Sequence, residues 1–337
     1  MTAIPPRTIV TLMGPTASGK TELALRIADR VPVDLISVDS AMVYRGMDIG
    51  TAKPSQAVLA RYPHALIDIR DPARAYSAGE FVADAGACVV AALERGRLPL
   101  LVGGTMLYFK AFKGGIAELP TAVPDIRAML EERVHREGLA ALHAELERID
   151  PVAAAAVHPN NPQRLLRALE VYAASGTPIS AFWARQQRGG VAEGLDCRLL
   201  EFALEPPRAA NQASIAQRFA GMLSAGLLDE VRALMARGDL APTLPSMRAV
   251  GYRQVWQHLS GEIDRTTMVD RAVAATRQLA KRQRTWLRNW PDKIVLNDAV
   301  EANLDSFLQS LLSNRIVRRS RKKTDPMFES NKGHRRS

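Results

Sequence analysis

Residues 14 to 21 read Gly14, Pro15, Thr16, Ala17, Ser18, Gly19, Lys20 and Thr21, a glycine-rich run closed by a lysine and a hydroxyl. The spacing GxxxxGK[ST] lets successive backbone N–H groups converge on phosphate oxygens. Gly14 and Gly19 permit close approach, Lys20 adds a point charge and Thr21 offers a hydroxyl to Mg2+. The motif specifies a polyphosphate without saying which one. No NKxD follows it to read guanine, and the apolar run LPLLVGGT ends in Gly103, Gly104 and Thr105 where a metal-binding strand would end in aspartate. Another run, VDLISVDS, does end in Asp39 and Ser40. Asp39 is either a displaced Mg2+ ligand or a general base facing an attacking group, and motif spacing alone favours the ligand.

Strand-like and helix-like segments alternate around these residues: RTIVTLM, the loop, TELALRIADR, VDLISVDS, FVADAGACVVAALERG and RLPLLVGGT. Short buried strands alternating with helices predict an α/β fold, a P-loop NTPase-like parallel sheet flanked by helices. From about residue 120 to 190 the pattern turns wholly helical. Ile126, Met129, Leu130 and Val134 keep helical spacing before Gly138, and Leu139, Leu142, Leu146 and Ile149 keep it after. A further helix is predicted with Asn161 as N-cap, Pro162 in the first turn and Gly176 at its stop. CRLLEFAL at 197 to 204 reads as a strand rejoining the sheet. The domain expectation is therefore a first core part at 1–119, an all-helical insertion domain at 120–192, a second core part at 193–313 and a basic tail at 314–337.

The formal net charge is +10 over 337 residues, and +7 of it lies between Arg315 and Ser337, a polar stretch predicted to be disordered. Upstream, residues 271 to 288, RAVAATRQLAKRQRTWLR, carry six basic residues and no acid. Arg277, Lys281, Arg284 and Arg288 recur at i, i+4, i+7 and i+11, so one helix face is cationic and suited to a polyanion. Leu279, Trp286 and Trp290 take other positions, where they pack or stack. Cys88 and Cys197 are far apart and lack CxxC spacing, which suits buried thiols better than a disulfide or a zinc site. No apolar run reaches the length of a membrane span, and the N-terminus lacks a signal-peptide pattern, so a cytoplasmic location is expected.

Taken in order, GPTASGKT, ISVDSAMVYRGMDIGTAKP, LIDIRDP, YSAGEF, LLVGGTMLYFKA, NPQRLLRALEVY, QRFAGMLSAGLLDEVRAL, RAVGYRQVW and ATRQLAKRQRTWLR resemble the bacterial tRNA dimethylallyltransferase family. The match runs from about residue 8 to about 297. It departs at Ser214, where relatives often carry a basic residue, while Arg218 is retained; the C2H2 finger of eukaryotic relatives is absent. The resemblance implies transfer of a dimethylallyl group from dimethylallyl diphosphate to N6 of the adenosine 3′ of the tRNA anticodon. It assigns residues 14 to 21 to the diphosphate, Thr21 to Mg2+, Lys20 and Arg218 to the leaving charge, Asp39 to the N6 proton and Thr105 to the target amine. For tRNA it implies contacts by Asp39, Ser40, Ala41, Met42, Thr105 and Arg127, and by Gln163, Arg164, Leu165, Leu166 and Arg167. It extends them to Arg248, Ala249, Val250, Gly251, Tyr252 and Arg253, and to Lys281, Arg282, Gln283, Arg284, Thr285, Trp286, Leu287 and Arg288. A monomer is the family's expectation.

Two other readings fit parts of the sequence. A small-molecule or nucleotide kinase explains the loop and an inserted helical block, but not the basic helix. A non-catalytic RNA-binding protein explains the basic helix, but makes Lys20, Thr21 and Asp39 accidental.

Overall fold

The computed structural model describes residues 5–117, 119–121, 123–185 and 189–313. The basic tail at 314–337 lies outside the described residues. In chain order the first part contains β1 (Thr8–Met13), α1 (Lys20–Ala28), β2 (Val33–Val38), α2 (Gln56–Arg61), β3 (His64–Ala65), α3 (Ala78–Glu94), β4 (Leu98–Gly103) and α4 (Met106–Gly114). An all-helical stretch follows: α5 (Pro124–Ile149), α6 (Pro151–Ala156), α7 (Pro162–Ser175), α8 (Ile179–Arg185) and α9 (Val191–Gly194). The chain then forms β5 (Arg198–Leu204), α10 (Arg208–Ser224), α11 (Leu227–Ala236), α12 (Tyr252–Leu259), α13 (Arg265–Arg288), β6 (Ile294–Leu296) and α14 (Val300–Leu312).

The six strands make one parallel sheet in the order β3-β2-β4-β1-β5-β6. The predicted α/β fold class is present, and β5 does rejoin the sheet, pairing with β1 from Thr8↔Arg198 to Met13↔Ala203. Central strands read as unbroken apolar runs because both faces are covered: all six residues of β1 are buried. One apolar cluster, containing Ile9, Met13, Phe81 and Phe109, packs on one face; another, with Val10, Leu12, Phe202 and Phe307, packs on the other. The short edge strands β3 and β6 escape sequence patterning, since two or three residues carry no period.

Helices α5 to α8 gather a third apolar cluster of their own, around Leu130, Leu142, Leu146, Leu165 and Leu169. Gly138, at φ 80°, breaks the helical path of α5 as the sequence predicts, and Arg133 bridges the break to Glu145 at 2.6 Å. Asp150 caps α6 through Ala153 N–H and accepts from Ser180 N–H, joining α6 to α8. The side chain of Asn161 caps α7, Pro162 occupies its first turn and Gly176 ends it in the left-handed conformation. Cys88 and Cys197 are half-buried free thiols rather than fully buried ones. Among the described residues no helix is long and apolar enough to cross a membrane.

Candidate active site

The loop joining β1 to α1 curls at the carboxyl edge of the sheet, where parallel α/β folds place their ligands. Its curvature needs left-handed backbone at Ala17 (φ 58°) and Gly19 (φ 87°). Gly14 is required by contact, because a Cβ there would stand 2.7 Å from Leu204 O. Neighbouring elements hold the strained curve from outside. Asn211, buried in the first turn of α10, donates its Nδ2 to Thr16 O (2.8 Å) and Ala17 O (3.0 Å). Arg284 of α13 donates to Asn211 Oδ1 at 3.2 Å and to Pro206 O at 2.9 Å.

Two cations face the loop. Lys20 Nζ donates to Pro15 O (2.6 Å) and Ser18 Oγ (3.3 Å), and Arg218 of α10 reaches Thr16 Oγ1 at 3.5 Å. Burial, then the Arg218 charge, pull the Lys20 ammonium down to about 7 against the opposing pull of Asp39. Two positive charges held close together beside converging loop N–H groups suit an anion.

Asp39 follows β2 directly. Its Oδ1 accepts from Ala41 N–H (2.8 Å) and Met42 N–H (3.2 Å), which fixes the carboxylate's direction and leaves Oδ2 without a partner among the described residues. Thr105, after β4, accepts from Ser40 N–H at 3.1 Å, and the N–H groups of Gly104 and Thr105 both donate to Val38 O. Gly103 permits this strand-end junction, because a Cβ would stand 2.0 Å from Val38 O.

Beyond Met42 the chain is pinned by Glu230 of α11, which sequence reasoning missed. Its carboxylate accepts from the N–H groups of Asp48 (2.9 Å), Ile49 (2.7 Å) and Gly50 (3.1 Å), and from the Tyr252 hydroxyl at 2.5 Å. Burial, with Glu230 alongside, raises the Tyr252 pKa, so the phenol remains a donor. A Cβ on Gly50 would meet the Tyr252 ring at 2.5 Å, which explains that glycine.

A cleft of ≈ 800 Å³ joins the loop from Thr16 to Thr21 with Asp39 to Met42, Thr105, Arg218, Arg248 to Tyr252, Arg282, Gln283 and Trp286. The sequence-selected residues that come together are therefore the loop, the strand-end acid, Thr105, Arg218 and part of the basic helix. Gly14 and Pro15 are buried beneath the loop. Arg127 and the stretch from Gln163 to Arg167 lie apart, in the helical layer.

Several residues expected at an RNA surface have side chains that packing turns inward. Leu165 and Leu166 are buried in the helical cluster, Leu287 in the main core and Tyr252 against Glu230, so their side chains have no surface to offer. Gln283 is buried and faces the loop, accepting from Thr16 N–H at 2.8 Å. Arg284 departs from the expected cationic face, half-buried on Asn211. Arg167 is likewise half-buried, donating to Pro120 O at 2.7 Å, and Arg127 pairs with Glu131 at 2.8 Å. Gln163, Arg164, Arg248, Arg253, Lys281, Arg282, Thr285 and Arg288 are exposed; Ala249, Val250 and Trp286 are partly so, and Gly251 is buried. Lys110 sits over the Trp286 ring at 5.6 Å. Sequence signals for Asn211 and Glu230 are faint, since each is one of several polar residues on its helix and nothing in the spacing singles it out.

A parallel sheet with a glycine-rich loop after its central β1 and a polar cleft at its carboxyl edge defines a P-loop-like α/β protein. A family model described as IPP transferase matches residues 42–290, and the chain belongs to that family. It is similar to a tRNA dimethylallyltransferase of Chromohalobacter salexigens, 58% identical over 280 residues that cover 83% of this chain and 88% of the relative. Another, from Bordetella petrii, is 56% identical over 290 residues, 86% of this chain and 92% of the relative. Among solved structures, a tRNA isopentenylpyrophosphate transferase of Bacillus halodurans superposes with a TM-score of 0.63 at 35% identity, covering 90% of this chain and 96% of its own. A eukaryotic dimethylallyltransferase acting on tRNA shares the fold with a TM-score of 0.73 at 20% identity, over 90% of this chain and 78% of its own.

Proposed function

We infer that the protein is a tRNA dimethylallyltransferase, and that the group it transfers comes from dimethylallyl diphosphate to N6 of the adenosine 3′ of the anticodon. The observation that carries the reading is one cleft holding a cation-lined phosphate loop opposite a strand-end carboxylate. Identity above one half to relatives bearing that name supports it.

The chemistry uses the two sides of the cleft differently. The exocyclic adenine amine is a poor nucleophile, its lone pair being delocalised into the ring. The allylic C1 becomes reactive as its bond to the diphosphate oxygen breaks. Loop N–H groups, Lys20 and Arg218 face the oxygens that gain charge as the diphosphate departs. One well-aimed donor of this kind is typically worth about 3 kcal/mol in the transition state. As N6 bonds to C1 it loses a proton, which Asp39 Oδ2 accepts; Thr105 Oγ1 hydrogen-bonds the amine and holds its approach line. The target base must leave the anticodon stack to reach this depth, and exposed groups of Arg248 to Arg253 and of α13 lie at the rim to receive the loop.

The donors suit Mg2+ bound together with substrate. Thr21 presents a hydroxyl, a hard oxygen, on the cleft beside the phosphate loop. That is how Mg2+ is held when phosphate oxygens and water complete its shell. When bound through Thr21, it would offset charge on the departing diphosphate. A helical insertion domain spanning 120–192, presenting Gln163 and Arg164, and a monomeric state complete the proposal.

Incubation with unmodified tRNA and dimethylallyl diphosphate, with ATP as control, tests the reading. Prenylated adenosine with release of diphosphate is expected. Release of ADP would replace it with a kinase, and tRNA binding without either product would leave a binding protein.

A further inference from the structure

Resemblance places Gln283 among the RNA contacts, yet its side chain points away from the exposed face of α13. It is 7% exposed, and both ends of its amide are used. Oε1 accepts from Thr16 N–H at 2.8 Å, and Nε2 donates to Gly104 O at 2.8 Å. Thr16 belongs to the phosphate loop. Gly104 precedes Thr105 and shares Val38 O with it as an acceptor. One amide thus spans the leaving-group side and the acceptor side of the cleft.

The surroundings are shaped to that amide. A Cβ on Gly104 would stand 2.5 Å from Gln283 Nε2, so the glycine is what admits it. One residue further along α13, Arg284 grips Asn211, whose amide holds the carbonyls of Thr16 and Ala17. Consecutive residues of one helix therefore hold the N–H side and the carbonyl side of the same strained loop. Alanine in the left-handed region, as at Ala17 (φ 58°), is strained backbone that persists only where neighbours over-determine it. Lys281, Arg282 and Arg288 remain exposed on the same helix.

We propose that Gln283 is a positioning residue for the transfer reaction: it fixes the phosphate loop relative to the Gly104–Thr105 strand end, and it does not touch RNA. The proposal rests on the reading given above for its consequences in turnover. Its direct test does not, because inorganic diphosphate binding can be read without tRNA.

Gln283→Ala, Gln283→Glu and Asn211→Ala are compared with the parent by calorimetric titration with inorganic diphosphate and by tRNA binding across a salt series. Removing the Gln283 amide is expected to weaken diphosphate binding about tenfold, the scale of one or two net hydrogen bonds. Gln283→Glu keeps the acceptor for Thr16 but sets a carboxylate against Gly104 O and near the anion, so it should weaken binding further. Asn211→Ala should repeat the loss from the other side of the loop. All three should keep the parent's tRNA affinity and salt slope, with a raised KM for dimethylallyl diphosphate and a lowered kcat in Gln283→Ala. Loss of tRNA affinity with normal diphosphate binding would overturn the proposal and make Gln283 an RNA contact. Equal losses of both ligands, or no loss of either, would overturn it too. Absence of prenyl transfer in the parent, with these diphosphate results intact, would sink only the functional reading.

Discussion

At Asp39 two backbone amides hold one carboxylate oxygen and leave the other directed by that anchorage. Substitution Asp39→Asn keeps the shape and the anchor's acceptor but removes the site for the N6 proton. Turnover should fall about 10²- to 10⁴-fold, the range of general-base contributions, with diphosphate affinity nearly unchanged in titration. A large change in affinity at normal turnover would make Asp39 a ligand instead. Lys20 carries a pH dependence of defined sign. Its ammonium, pulled down to about 7 by burial and by Arg218, loses its proton as pH rises through that value, whereas bound diphosphate favours the charged form. Diphosphate affinity should weaken above pH 7 by up to about tenfold per unit relative to Lys20→Met, a comparison that cancels the ligand's own ionisation. Parallel pH profiles for the two proteins would remove Lys20 from the site.

Helix α13 shows how one element divides its faces. Periodicity in the sequence places Arg277, Lys281, Arg284 and Arg288 on one stripe, but the stripe is wide enough that Arg284 rotates inward to meet Pro206 O and Asn211. The consequences are separable. Lys281→Ala and Arg288→Ala should raise the KM for tRNA and lower the slope of log affinity against log salt by about one unit per lost phosphate contact. An unchanged slope would leave them a solvated surface. Arg284→Ala should instead cost stability, about 1 to 3 kcal/mol by chemical denaturation, because it strands the buried Asn211 carbonyl. Charge pattern alone could not separate these roles; the neighbour across the helix does.

Across the whole molecule the apolar residues fall into three clusters, two sandwiching the sheet and one inside α5 to α8. Leu142, fully buried in the third, offers a test of how far that layer is independent. Leu142→Ala should destabilise its cluster by about 2 to 5 kcal/mol. Hydrogen exchange should then quicken in α5 to α8, while β1 and β4 keep their protection and the loop keeps its diphosphate affinity. Uniform loss of protection would show one cooperative unit rather than an inserted domain.

Local rules carry far in this chain. The phosphate loop, the four longer parallel strands, the break at Gly138 and the Asn161, Pro162 and Gly176 boundaries of α7 are all written in spacing, because each depends on residues within one or two turns of each other. The long family-like blocks fix the kind of enzyme for the same reason, being read without reference to contacts. What the sequence left open was which side chains on those blocks face inward. Gln283, Arg284, Tyr252 and Leu287 stand in stretches that look like RNA surface, and tertiary packing turns them to the loop, to Asn211, to Glu230 and to the core. Asn211 and Glu230 became visible only there as well. Their partners lie 194 and 195 residues away for Asn211 and 180 to 182 for the loop amides of Glu230. No local period encodes a hydrogen bond across such a separation; it exists only once the sheet has brought its strand ends together.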